Sequence, residues 1–81
     1  MAGKNLAEDS YERLANAIIL SAVSDYRAAL KRIKRNQGSK TAMEEALRIE
    51  KFFRSHWYQQ LTSVDGEFLI RKLQDEIRQS E

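Results

Sequence analysis

The chain has 81 residues, with 14 Lys+Arg against 12 Asp+Glu, one His, no Cys and no Pro. Its formal net charge is +2 and its sequence pI is ≈ 9.1. A chain this short buries only about 60–65% of the surface it would expose unfolded, so one small core and no second domain are expected in it.

The absence of cysteine removes disulfides, thiolate catalysis and every cysteine-based zinc or iron–sulfur site. No apolar run approaches the ~20 residues that cross a bilayer, and the longest, Ala17-Ile18-Ile19-Leu20, stops at Ser21. The opening Met1-Ala2-Gly3-Lys4-Asn5 has no apolar stretch behind its charge and does not read as a signal peptide. A soluble, cytoplasmic protein that works without a membrane is expected.

Residues 1–8 are small and polar apart from Leu6, which predicts a flexible N-terminal arm ahead of a single helical domain over 9–81. Asp9-Ser10-Tyr11-Glu12 has the capping-box spacing of a helix start. From there Tyr11, Leu14, Ile18, Ala22, Tyr26, Leu30 and Ile33 recur every three or four residues, widened by Ala15, Ile19, Val23 and Ala29. This period predicts a first helix from about Ser10 to Asn36, roughly 40 Å long at 1.5 Å per residue. So long a rod exceeds what the domain can cover, so part of its stripe is expected to meet another chain or solvent.

Asn36-Gln37-Gly38-Ser39 is the clear break, where Gly38 can adopt the left-handed conformation that ends helices. Thr41-Ala42-Met43-Glu44 repeats the capping-box spacing and predicts a second helix over about 42–54. Trp57, Tyr58 and Leu61 fit a short helix within 55–61. Phe68, Leu69, Ile70, Leu73 and Ile77 then define a last helix over about 64–79. The fold class is all-α: a small helical bundle of three main helices plus one short helix, built on a long N-terminal helix.

Charge is concentrated rather than spread. Arg27, Lys31, Arg32, Lys34, Arg35 and Lys40 stand in a stretch without an acid, while the remaining eight basic residues face all 12 acidic ones. Arg27, Lys31, Lys34 and Arg35 follow i, i+4, i+7, i+8 and form a basic stripe on one flank of the first helix. With Lys40 they are the candidate anion-binding residues, suited to nucleic acid, a nucleotide or an acidic protein surface. The competing reading is a solvated helix end whose cations complement the negative pole of the helix dipole. Aromatic interleaving, which base stacking would need, is thin, with only Tyr26 adjacent.

Helix, glycine turn and helix also suggest a helix-turn-helix, but both later helices open on carboxylates, at Glu44-Glu45 and at Asp65 and Glu67. Those charges repel DNA where a recognition helix would meet it.

Phe52, Phe53, His56, Trp57 and Tyr58 gather four of the seven aromatics and the one histidine into seven positions. Either they plug the core, or Trp57 and Tyr58 stay partly exposed and anchor a protein partner. His56 lacks a second His or any Cys, and Glu44/Glu45 and Asp75/Glu76 point about 100° apart on a helix and cannot converge without help from elsewhere, so no catalytic dyad or metal site is expected. Asp65-Gly66 has too few glycines and too much flanking negative charge to cradle a phosphate. No enzyme, cofactor or metal is expected.

The run Phe52-Phe53-Arg54-Ser55-His56-Trp57-Tyr58, then Leu61-Thr62 and Val64-Asp65-Gly66-Glu67-Phe68-Leu69-Ile70, resembles small proteins encoded by phages and mobile elements of gram-positive bacteria. The segments Ala17-Ile18-Ile19-Leu20, Asp25-Tyr26-Arg27 and Leu30-Lys31-Arg32 share the resemblance, which spans most of residues 13–73. It supplies no catalytic residues to carry over. It implies a non-catalytic accessory protein that binds and blocks a bacterial host component, such as a guided nuclease or another part of a defence system, in the host cytoplasm. Self-association into a homo-oligomer is expected as well, and the alternatives in function are a nucleic-acid or nucleotide-binding protein using the basic stripe, and a purely structural oligomer.

Overall fold

The computed structural model describes residues 2–80, with side chains from Ser10 onward. Four helices follow one another: α1 (Ala2–Arg35), α2 (Lys40–Phe53), α3 (His56–Leu61) and α4 (Gly66–Gln79). The fold is all-α, with α1 packed against both α2 and α4. At 1.5 Å per residue the 34 residues of α1 make a rod of about 50 Å, and it sets the 54 Å long axis of the molecule. α1 is helical before the capping box expected at Asp9, and the arm expected over 1–8 lies outside the residues whose side chains are described.

Two turn assignments change. Among the described residues no glycine has a positive φ, so Gly38 does not end α1 by a left-handed turn. The Asn36 side chain closes the reversal instead, its Oδ1 accepting from the Gly38 N–H at 3.1 Å. The cap of α2 is Ser39, in extended conformation, whose Oγ accepts from the Ala42 N–H at 3.2 Å. Thr41, expected in that role, lies one residue inside the helix.

Ser55 joins two helices through one hydroxyl. It donates to the Phe52 carbonyl at 2.7 Å at the end of α2 and accepts from the Tyr58 N–H at 3.1 Å at the start of α3. Asp65 caps α4 by accepting from the Glu67 N–H, so this helix begins at Gly66 rather than Val64.

The core contains Tyr26, Ala29, Ala46, Phe53, Tyr58, Ile70 and Leu73. Tyr26 is its pivot: the hydroxyl donates to Glu50 Oε2 at 2.6 Å and accepts from Gln74 Nε2 at 3.1 Å, which ties α1 to α2 and α4. Its ring meets Phe53 edge-on at 5.8 Å, and Phe53 meets Tyr58 edge-on at 5.6 Å. Each such pair adds about 0.5–1.5 kcal/mol beyond the burial of its area. The start of the α1 stripe is left out of this core, with Tyr11 54% and Leu14 61% exposed.

Candidate functional site

The basic stripe divides into two roles. Arg27 is committed within the chain: its Nε donates to Glu76 Oε2 at 2.7 Å and its Nη2 to Oε1 at 3.1 Å. This guanidinium, and more weakly Lys31 and Lys72, holds the Glu76 carboxyl below the usual carboxylate range. Lys34 is committed as well. Its ammonium donates to the Ile77 carbonyl at 2.8 Å, and also to the carbonyls of Arg78 and Ser80, so it closes the C-terminal end of α4.

Lys31, Arg32 and Arg35 are exposed, and none forms a salt bridge among the described residues. With Arg27 they wall a shallow groove along the outer face of α1, whose floor is Ser24 and Ala28. A second groove, between the ends of α1 and α4, holds Lys31, Lys34, Arg35 and Ser80. Lys40 opens α2 beyond the turn, is exposed, and lines neither groove.

Tyr26, the aromatic next to the stripe, is wholly buried and offers no surface on which a base could stack. Desolvation, with its hydrogen bond to Glu50 as the next cause, pushes its phenol well above the ordinary range.

The two candidate anchors separate completely. Tyr58 is 1% exposed and is no anchor: the Ser55 cap fixes α3 so that Tyr58 turns inward against Phe52 and Phe53. Burial, and then the Asp65 carboxylate, raise its phenol, and its hydroxyl has no hydrogen-bond partner among the described residues. Trp57, one residue earlier and therefore about 100° round the helix, is 56% exposed. Its ring stands edge-on to Phe52 at 5.5 Å, which holds it against the core without covering it.

Trp57 closes one end of a groove between α1 and α2 with a floor of Ile18, Ala22, Ile49 and Phe52. Asp25, Glu45 and Arg48 rim it, and Arg48 Nη1 is held by Glu45 Oε1 at 2.6 Å. By helical spacing Leu14 lies one turn before Ile18 on the same flank, and Tyr11 reaches α3 by donating to the Gln60 carbonyl at 3.3 Å. Trp57, Ile18, Ile49 and Arg48 therefore form one apolar surface with a charged edge.

Sequence reasoning missed Arg48. It stands among Glu44, Glu45 and Glu50 in the sequence, so a local charge count conceals it, and the signal that could have found it is its i, i+3 spacing from Glu45.

Among the described residues no group of three His, Cys, Asp or Glu side chains could hold a metal ion, and no helix is long and apolar enough to cross a membrane. No protein-family model matches the chain, and neither the curated proteins nor the solved structures show a significant match to it.

Proposed function

We propose that the chain is a non-catalytic, phage-type accessory protein that binds and blocks a protein component of a bacterial host, most specifically of a defence system in the host cytoplasm. The observation that carries the reading is Trp57, more than half exposed yet braced on Phe52 at the end of an apolar groove. Trp and Arg dominate the energetics of protein interfaces, and a large side chain already held in place loses little freedom on docking. Arg48 on the rim, oriented by Glu45, supplies the second residue of that kind. The block on the host component rests on the resemblance to phage and mobile-element proteins.

The test is affinity capture from gram-positive host lysate at low and high salt, followed by titration of the purified partner. A partner that binds the wild type at both salt concentrations and loses at least about 30-fold in affinity on Trp57→Ala supports the reading, since hot-spot truncations cost about 2 kcal/mol or more. A partner held equally by Trp57→Ala overturns it. Light scattering covers the homo-oligomer: a dimer that Trp57→Ala converts to monomer makes this surface a contact between copies.

A further inference from the structure

We infer that the outer face of α1 carries a second binding site, for the phosphate backbone of nucleic acid, in which Lys31, Arg32 and Arg35 make the contacts. This site shares no residue with the Trp57 groove and stands or falls independently of it.

Four observations lead to it. First, the three cations are exposed and without ion-pair partners among the described residues, whereas Arg27 and Lys34 of the same stripe are bound within the chain. Capping the helix ends therefore accounts for Lys34 and leaves these three over. Second, they flank a groove of ≈ 400 Å³ whose floor is Ser24 and Ala28. Such short side chains let a phosphate approach the helix while cations close on it from both sides. Third, no acid occurs between Tyr26 and Met43, and Asp25, beside the Ser24 end of the floor, lines the Trp57 groove instead. Glu76, the carboxylate nearest the stripe, lies among Arg27, Lys31 and Lys72, and its charge is more than offset there.

The fourth observation selects the partner. An acidic protein surface would need an apolar anchor to bury, and this groove has none beyond Ala28. A phosphate backbone needs only an unbroken line of charge, because binding is driven by counterion release. No aromatic lines the groove and Tyr26 is buried, so bases have nothing to stack on. Recognition is therefore of backbone alone, without sequence preference.

The experiment is fluorescence anisotropy with labelled oligo(dT) and a labelled random-sequence DNA duplex, titrated at about 50 and 200 mM salt. Three contacts predict an affinity loss across that range of about 40-fold on the duplex and about 20-fold on the single strand. The probe bound more tightly at the lower salt marks the site as one for duplex or for single strand, and either, with its own predicted loss, supports the inference. Removing two contacts in the Lys31→Ala/Arg35→Ala double variant should shrink the duplex loss to about 3.5-fold. Lys40→Ala removes one equal charge outside the groove and should leave the salt dependence as in the wild type.

The inference is overturned by no binding to either probe at the lower salt, by a double variant with the wild-type slope, or by a Lys40→Ala change as large as that of the double variant. Polyglutamate competing as well as the oligonucleotides would also reject it, in favour of an acidic protein partner.

Discussion

Lys34 and Ile77 are joined by a hydrogen bond of 2.8 Å from the ammonium of one to the carbonyl oxygen of the other. The cation-rich end of α1 thus closes the carbonyl end of α4, where the helix dipole is negative. A residue of the basic stripe is consumed by the fold, while Lys31, one turn earlier, is left on the surface.

These neighbours should therefore respond oppositely in stability and in binding. Lys34→Ala should cost about 1 kcal/mol through the lost charge-assisted hydrogen bonds. In a domain this small that lowers Tm by about 4–8 °C. Lys31→Ala should stay within about 0.5 kcal/mol of the wild type, as exposed unpaired residues do. Thermal unfolding followed by circular dichroism checks both, and equal Tm values for the two variants would show that Lys34 does not hold α4.

The buried phenols should behave as opposites under the same Tyr→Phe change. Tyr26→Phe takes the donor from Glu50 Oε2, leaving that carboxylate only Arg54 on its other oxygen, and takes the acceptor from the Gln74 amide, and should cost about 1–3 kcal/mol. Tyr58→Phe removes a buried hydroxyl with no partner among the described residues and should be neutral or stabilising. Denaturant titration of both variants gives the signs, and a loss in Tyr58→Phe as large as in Tyr26→Phe would contradict the assignment.

Alkali should expose the same pair. Both phenols are raised in the folded state, chiefly by burial, so the fold holds them neutral. Their contribution to stability is complete below the ordinary phenol value of about 10 and is lost as pH rises through the higher folded values. Tyr26 and Tyr58 should therefore resist ionisation past about pH 10 until the chain unfolds, as read by phenolate absorbance. Either single Tyr→Phe variant should reduce the late titration to one group.

Gly66 opens α4 directly against the end of α2. A Cβ built there would collide with the Phe53 carbonyl oxygen and stand 2.9 Å from its carbon. Helix propensity alone favours alanine over glycine by about 1 kcal/mol. The contact outweighs it, because the neighbour is backbone and cannot rotate away, so Gly66→Ala should destabilise by about 1–3 kcal/mol. A denaturation midpoint at or above that of the wild type would show that α4 can move off Phe53.

Much of this architecture was legible in local pattern. The α1 stripe, the break at Asn36–Ser39 and the apolar spacing of α4 depend on neighbours three or four residues apart, which sequence displays directly. The caps were less legible, since Ser39 and Thr41 both satisfy the chemistry of an N-cap and only the backbone path decides between them. Of the proposed site residues, composition identified the stripe but could not divide it. The partners that remove Arg27 and Lys34 lie 49 and 43 residues away, on α4.

The sequence by itself determined an all-α chain, a long first helix, and a concentration of positive charge at that helix's end. These follow from helical periodicity and from the order of charged residues, and both are properties of neighbours along the chain. Tertiary structure alone decided that Trp57 faces outward while Tyr58 faces the core, because the rotation of a six-residue helix is set by its Ser55 cap and by packing on Phe52 and Phe53. It also decided which cations remain available, because whether a charge is paired depends on what the fold brings beside it.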